Sequence, residues 1–514
     1  MLLYKRRKCI LASMKKKFLL NILLLVFLNL LIKPLWVFIE IEVQNKTGVK
    51  SFGLYFALFN LSLILNTILD AGIANFNNKK IAENPELTSQ YISRLIPLRI
   101  LLGMVYIIIL STTGVLLQYN ISSILLLCTL GFNQFLLATL MYLRSNLQGM
   151  HFFKSDSIVS IADRIIMATL VLYCFYALQN EDFTIYTFAY IQTFGYLFAV
   201  LLAALFLFFH SGIKFKPRFS LKFIKAYTYK CFPYALIGIL MLVYSFTDTV
   251  ILERLKGDDA AGIYAQSSRL LLALINFSYL FSVPLLPMFA RMIAQKENYH
   301  ELLRLSGAIL ILSSIFIAVS CALYAEEIIT ALYAKKGNLG LTQKLLLSFK
   351  GELNNINNPE EILQSSKVFT ICILNFIPMS AMYIYGTFLT AAGEMKLLNT
   401  SAFLGVLLNL CANLLLIPHF GVEAAAMVSL GTQSFVCIMQ IYYARKKYKL
   451  QLNSLIVLRY LSVLVLFSAF ALLLLHGDFT WILKISLSIL FGLTLSILLK
   501  AIPLPSISKL FKRN

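Results

Sequence analysis

The stretch "FGLYFALFNLSLILNTILD", residues 52–70, carries no charge until its last residue, Asp70. Coiled as a helix at about 1.5 Å per residue it is long enough to cross about 30 Å of hydrocarbon. Runs of this kind recur from end to end. Of 514 residues, 59% are hydrophobic and only 13% charged, and the mean hydropathy is +0.80. A soluble chain of this length needs far more charge to cover its surface. The pattern therefore predicts an all-α polytopic membrane protein with no soluble domain. Fourteen spans are expected: 18–40, 51–76, 95–117, 121–143, 157–178, 184–209, 231–253, 262–289, 305–325, 367–391, 398–417, 424–443, 455–475 and 479–499.

Charge placement orients them. Most of the 45 Lys and Arg lie in alternate loops that share a side with the N-terminus "MLLYKRRKCILASMKKK". Acidic residues favour the opposite side. Basic loops mark the cytoplasmic face, so both termini are expected there, the C-terminal "KLFKRN" included. A net charge of +22 would suggest nucleic acid in a soluble protein. In this setting it sets topology and meets anionic lipid heads, so no nucleic-acid partner is expected. The first span is too long for a cleavable signal peptide and lacks a small-residue cleavage site. Met14 is an alternative start. Eight Cys without a CxxC read as small apolar filler, neither disulfides nor metal ligands.

The chain repeats itself weakly. "FGLYFALFNLSLIL" (52–65) resembles "AGIYAQSSRLLLAL" (261–274), with Gly53 aligned to Gly262 and Tyr55 to Tyr264. The pieces open the second and eighth spans. An offset of six spans keeps both copies in one orientation, as in parallel repeats about the membrane normal. The expected organisation is a six-helix bundle in 1–210, a basic cytoplasmic linker in 211–230 and a second six-helix bundle in 231–443. Two further spans and a basic tail fill 444–514. One outer loop, 326–366, is unusually long and reads as a short helix or unstructured chain.

Catalytic signatures are missing from the sequence. It has no GxxxxGK[ST], its five His are scattered, and HExxH does not occur. No catalytic residue, metal site or cofactor is expected. Glu40 and Glu42, placed in the first outer loop, are a weak signal for a membrane glycosyltransferase or polymerase.

Ionisable residues at membrane depth say more, because they are costly and mark a path or a pair. They are Lys33, Asp70, Arg99, Asp163, Arg164, Asp248 and Arg269. Four are basic, and such a lining suits an anion such as a pyrophosphate, which Arg grips through paired hydrogen bonds. Lys33, Arg99, Arg164 and Arg269 are therefore path candidates. Gln266 and Asn276 join them because they share a helical face with Arg269. Asp70, Asp163 and Asp248 are candidates for gating or ion coupling. Asn409 and Asn413, at i and i+4, read as interhelical glue. Lys367 and Lys484, near outer ends, are expected to snorkel. Pro34, Pro233, Pro284, Pro287 and Pro378 interrupt or cap spans.

Three stretches resemble the polysaccharide transporter family. They are "NLCANLLLIPHFGVEAAAMVSLGTQ" (409–433), "FPYALIGILMLVYSFTDTVILERLKGDDAAGIYAQSSRL" (232–270) and "FGLYFALFNLSLILNTILDAGIANF" (52–76). In the second, Asp248, Gly262 and Tyr264 stand in the usual places. In the third, Asp70-Ala71-Gly72 stands where Asp-Leu-Gly is common. That family belongs to the multidrug/oligosaccharidyl-lipid/polysaccharide exporter superfamily. The resemblance implies two bundles in a V that rock between inward-open and outward-open states in the bacterial inner membrane. It implies a flippase for undecaprenyl-pyrophosphate-linked oligosaccharides of O-antigen, capsule or exopolysaccharide. Membrane lipids, a polysaccharide polymerase and its chain-length machinery are the partners it implies, and the working form is expected to be a monomer. Within the superfamily the alternatives are a drug or metabolite cation antiporter and a peptidoglycan-precursor flippase. Asp70 is expected to face the cavity and to balance Arg99 or Arg164.

Overall fold

A computed structural model describes residues 32, 34–70, 77, 81, 88–150, 152–177, 182–211, 221–334, 358–450, 454–475, 477 and 479–501. Among them every regular element is a helix. In chain order these are α1 (34–47), α2 (Val49–Leu65), α3 (Thr67–Asp70), α4 (Thr88–Leu116), α5 (Ile121–Gly149), α6 (Phe153–Leu172, prolonged by a π-helical turn to Ala177) and α7 (Ile185–Ser211). There follow α8 (Leu221–Lys256), α9 (Asp258–Ser282), α10 (Leu285–Ala294), α11 (His300–Leu323), α12 (Ala325–Tyr333), α13 (Pro359–Leu374), α14 (Phe376–Ala391), α15 (Met395–Tyr448), α16 (Ser454–Leu475) and α17 (Trp481–Leu498). Twelve helical stretches among the described residues are long and apolar enough to cross a membrane. The protein is a multi-pass membrane protein.

Twelve stretches and fourteen expected spans are reconciled at two places. The span expected at 18–40 lies mostly outside the described residues, as do Lys33 and the basic N-terminus. The spans at 398–417 and 424–443 are both contained in α15, which breaks at Gly421 (φ 62°, ψ −133°). An ideal Cβ on Gly405 would stand 2.7 Å from the Val436 side chain. In one straight helix these residues would lie about 46 Å apart, so the chain folds back at Gly421 and its two arms pack antiparallel. Glycine suits this turn because the positive φ carries no Cβ penalty there.

Two expectations are corrected. Helix α1 continues to residue 47, seven beyond the expected end. Glu40 and Glu42 therefore sit in a helix and not in an outer loop, and Glu40 is buried. The apolar period explains this: Trp36, Ile39 and Val43 bury one face through the supposed boundary. The long loop 326–366 is also shorter. Helix α12 buries Ala325, Ile328, Ile329, Leu332 and Tyr333, and α13 begins at Pro359. Glu326–Glu327 and Glu360–Glu361 fall in the first turns of the two helices, where they complement the helix dipole. Residues 335–357 lie outside the described part, as do 212–220 of the linker.

The contacts divide the chain into two compact units. One holds the residues up to Thr47 and Ala57–Ile239, the other Gly48–Phe56 and the residues from Leu240 on. In the first, α5 packs along α7 and α4, and α6 lies against α7. Leu95, Leu98, Leu140, Tyr142, Leu147 and Ala203 form its core. In the second, α9 packs on α13, and α14 on α11 and α15. The C-terminal pair α16–α17 packs on α11, with Phe316, Leu312, Val463 and Phe467 buried in the seam.

Candidate functional site

Charged and amide side chains at membrane depth gather in three places. In the first unit, Arg99 of α4 and Asp70 of α3 form an ion pair at 2.5 Å. Arg99 also donates to the Ala138 carbonyl at 2.9 Å and lies 4.6 Å from the Tyr142 ring centroid. It is 3% exposed. Of the two partners expected for Asp70, the structure selects Arg99. Arg164 stacks 4.8 Å over Trp36 and pairs with its neighbour Asp163 at 3.6 Å.

In the second unit, Arg269 of α9 lies over two rings of α2, 4.7 Å from Phe56 and 5.6 Å from Phe52. Its guanidinium is buried. Its two face-mates point elsewhere. Gln266 donates to Glu361 at 3.0 Å and pairs with Ser365, which ties α9 to α13. Asn276 bonds back to Leu272 of its own helix.

The third cluster surrounds Asp248 of α8, which is fully buried. Its Oδ1 accepts from Asn409 Nδ2 at 2.7 Å and Asn413 Nδ2 at 2.6 Å. The Tyr264 hydroxyl donates to Oδ2 at 3.4 Å. Helices α8 and α9 and the first arm of α15 thus converge on one acid. The glue reading of Asn409 and Asn413 holds in that they bridge helices. It missed that a carboxyl is what they hold. The legible signal was an i, i+4 Asn pair in one span and, in another, an acid with no Lys or Arg within five residues of it.

Lys484 is corrected as well. It does not snorkel: it is 8% exposed, donates to the Leu475 carbonyl at 3.2 Å and sits 5.8 Å from the Tyr324 ring. It caps the open end of α16. Lys367 is exposed, as expected. Sequence reading also passed over Arg144, whose Nε donates to buried Asp156 at 2.7 Å while Gln148 donates at 2.9 Å. Among the described residues no group of three His, Cys, Asp or Glu could hold a metal ion.

The family model of the polysaccharide biosynthesis proteins matches residues 18–293, more than half of the chain. The chain belongs to that family. Proteins of known structure share the architecture. A lipid II flippase MurJ in an inward closed conformation superimposes with a TM-score of 0.70 at 14% identity, over 93% of this chain and 99% of that one. An inward-facing multidrug resistance MATE family transporter of the MOP superfamily gives 0.60 at 11% identity, over 81% and 94%. A MOP superfamily transporter from Pyrococcus furiosus gives 0.56 at 11%, over 83% and 94%. In sequence, a probable lipid II flippase MurJ from Helicobacter pylori strain J99 is 25% identical over 224 residues. That match spans 43% of this chain and 44% of the relative, less than half of each. The polysaccharide biosynthesis protein described here thus shares its fold with a lipid II flippase and with transporters of the MOP superfamily.

Proposed function

We propose that this family member is a flippase, not an enzyme, that carries undecaprenyl-pyrophosphate-linked oligosaccharide repeat units. The direction is from the cytoplasmic to the outer leaflet of a bacterial inner membrane, by alternating access. The cargo would feed assembly of O-antigen, capsule or exopolysaccharide. The observation that carries this reading is Arg269, a buried guanidinium stacked on Phe52 and Phe56 in a membrane-spanning helix. A buried cation in a membrane-spanning helix marks a transport path or a pair. Its planar fork matches a phosphate, and the two rings fix its plane. Arg164 likewise lies over a ring, that of Trp36.

The other arginine plays a different part. Arg99 spends its charge on Asp70 and is held by a carbonyl and a ring. We assign this pair to gating. Asp248 is assigned to coupling with a cation gradient, since its amide and hydroxyl shell contains no fixed positive charge.

A peptidoglycan-precursor flippase is the second reading, favoured by the relatives named as lipid II flippases. The test is to delete the gene and measure how much lipid-linked oligosaccharide is protected from an impermeant reagent. Accumulation of intact units on the cytoplasmic side of the deletion strain, relieved by wild type, with outward transfer at least tenfold slower for Arg269→Ala, supports the proposal. Accumulation of the peptidoglycan precursor instead moves the protein to the second reading. Normal leaflet distribution of both refutes a flippase.

A further inference from the structure

Helix α9 ends at Ser282, two residues before Pro284, which has no N–H to continue the ladder. Pro284 instead caps α10, the helix from Leu285 to Ala294. Helix α10 has two faces. Leu285 and Phe289 are buried, whereas Leu286, Met288 and Arg291 are exposed. The exposed face changes character along the axis. Leu286, Pro287 and Met288 come first, Arg291 lies about 7.5 Å beyond Leu286, and exposed Lys296 stands just past the end. Lys296 has a φ of 54°, and the chain turns there towards α11.

The buried face rests on rings from three further segments. Phe289 meets Phe388 of α14 with centroids 5.5 Å apart. Phe388 also lies 5.2 Å from Tyr299, which precedes α11, and 5.0 Å from Tyr448, the last residue of α15. Tyr299 and Tyr448 are 6.4 Å apart. Glu394, just before α15, fastens the cluster: its Oε1 accepts from the Tyr448 hydroxyl at 2.8 Å and pairs with Lys447 Nζ at 2.5 Å. Four rings from four segments thus form one floor, with cations at its edges. Arg291 stands two residues after Phe289, Lys447 adjoins Tyr448, and Lys446 lies 5.8 Å from the exposed Tyr442 ring. Residues 285–304, 394–396 and 445–449 hold eight Lys and Arg against three Glu, and one of those three, Glu394, is already committed. The rim is therefore strongly positive, on the side that the basic loops assign to the cytoplasm.

We propose that α10 and the end of α15 bind an anionic phospholipid of the cytoplasmic leaflet, its phosphate between Arg291 and Lys447 and its chains along Leu286 and Met288. Exposed apolar side chains beside a cationic rim match both ends of such a lipid, whereas a soluble anion would use the rim alone. The ring floor fixes where the cations stand, which a diffuse positive surface does not require. A lipid held there braces the elbow between α10 and α9, the helix that carries Arg269.

The test uses the purified full-length protein in a neutral detergent. Its thermal midpoint is followed against dioctanoyl phosphatidylglycerol, dioctanoyl phosphatidylcholine and inorganic phosphate. The proposal predicts a saturable rise with phosphatidylglycerol alone. The half-saturating concentration should increase about fivefold for each charge removed in Arg291→Gln and in Arg291→Gln/Lys447→Gln. Arg291 bonds within its own helix, to Gln295, so the single variant keeps the test open where the double variant fails to fold. Lys154→Gln removes an exposed charge expected on the same side, from the other unit, and should titrate as wild type. An equal shift in Lys154→Gln would mean diffuse attraction and overturn the site. An equal rise with inorganic phosphate would make it a soluble-anion site and overturn the lipid. A wild type that does not respond, or an Arg291→Gln variant that titrates as wild type, overturns the proposal outright.

Discussion

Arg99 shows how a single side chain reaches its role. Its position in an apolar run marked it as costly, and three contacts offset that cost: Asp70 at 2.5 Å, the Ala138 carbonyl and the face of Tyr142. Removing one partner of such a pair leaves a buried charge, at a cost of about 3 kcal/mol. Asp70→Asn should therefore lower the thermal midpoint in detergent. Arg99→Leu should cost less in the Asp70→Asn background than in wild type. Additive effects in that double-mutant cycle would show that the pair does not couple. Both residues were legible as candidates from sequence. Their pairing was legible only as one of two options, because 29 positions separate them and the choice between Arg99 and Arg164 depends on how α3 and α4 pack.

At the scale of elements, the weak repeat acquires a physical meaning. Within the second unit Gly53 and Gly262 meet. A Cβ on Gly53 would overlap the Asp258 carbonyl and come within 2.5 Å of the Gly262 nitrogen. A Cβ on Gly262 would overlap the Val49 carbonyl. Val49 and Asp258 each lie four residues before their glycine, so the crossing is symmetric. Backbone-to-backbone approach of this kind uses glycine on both helices. Gly53→Ala and Gly262→Ala should each destabilise by about 3 kcal/mol, since backbone atoms cannot step aside. Gly307→Ala, with open space around it, is the control and should leave the midpoint within about 0.5 kcal/mol of wild type. Equal midpoints for all three variants would contradict the crossing. Sequence alignment found both glycines as matched positions in two copies. It could not say that the copies touch.

For the whole molecule, the charge bias makes a prediction about sides. With every native Cys replaced, a cysteine at Lys46 should react with an impermeant maleimide in intact cells. One at Lys447 should react only after permeabilisation. Both positions are exposed, Lys447 with 57% of its side chain. The reverse pattern would place the basic loops outside and refute the orientation.

Apolar length and composition by themselves determined that this is a helical membrane protein and where its spans fall. Lipid cannot hydrogen-bond the backbone, so a run of sufficient apolar length has almost no alternative to a helix. The resemblance carried by 409–433, 232–270 and 52–76 pointed to the family that the match over 18–293 then established. Tertiary structure alone decided the rest. It put Asn409 and Asn413 onto Asp248, Arg269 onto Phe52 and Phe56, and Lys484 into the protein. It also placed α12 and the start of α13 at the two ends of the expected outer loop. Such outcomes depend on which faces of distant helices meet. A hydropathy pattern fixes the length and depth of each helix but not its rotation or its neighbours, and a buried polar group is defined by those neighbours.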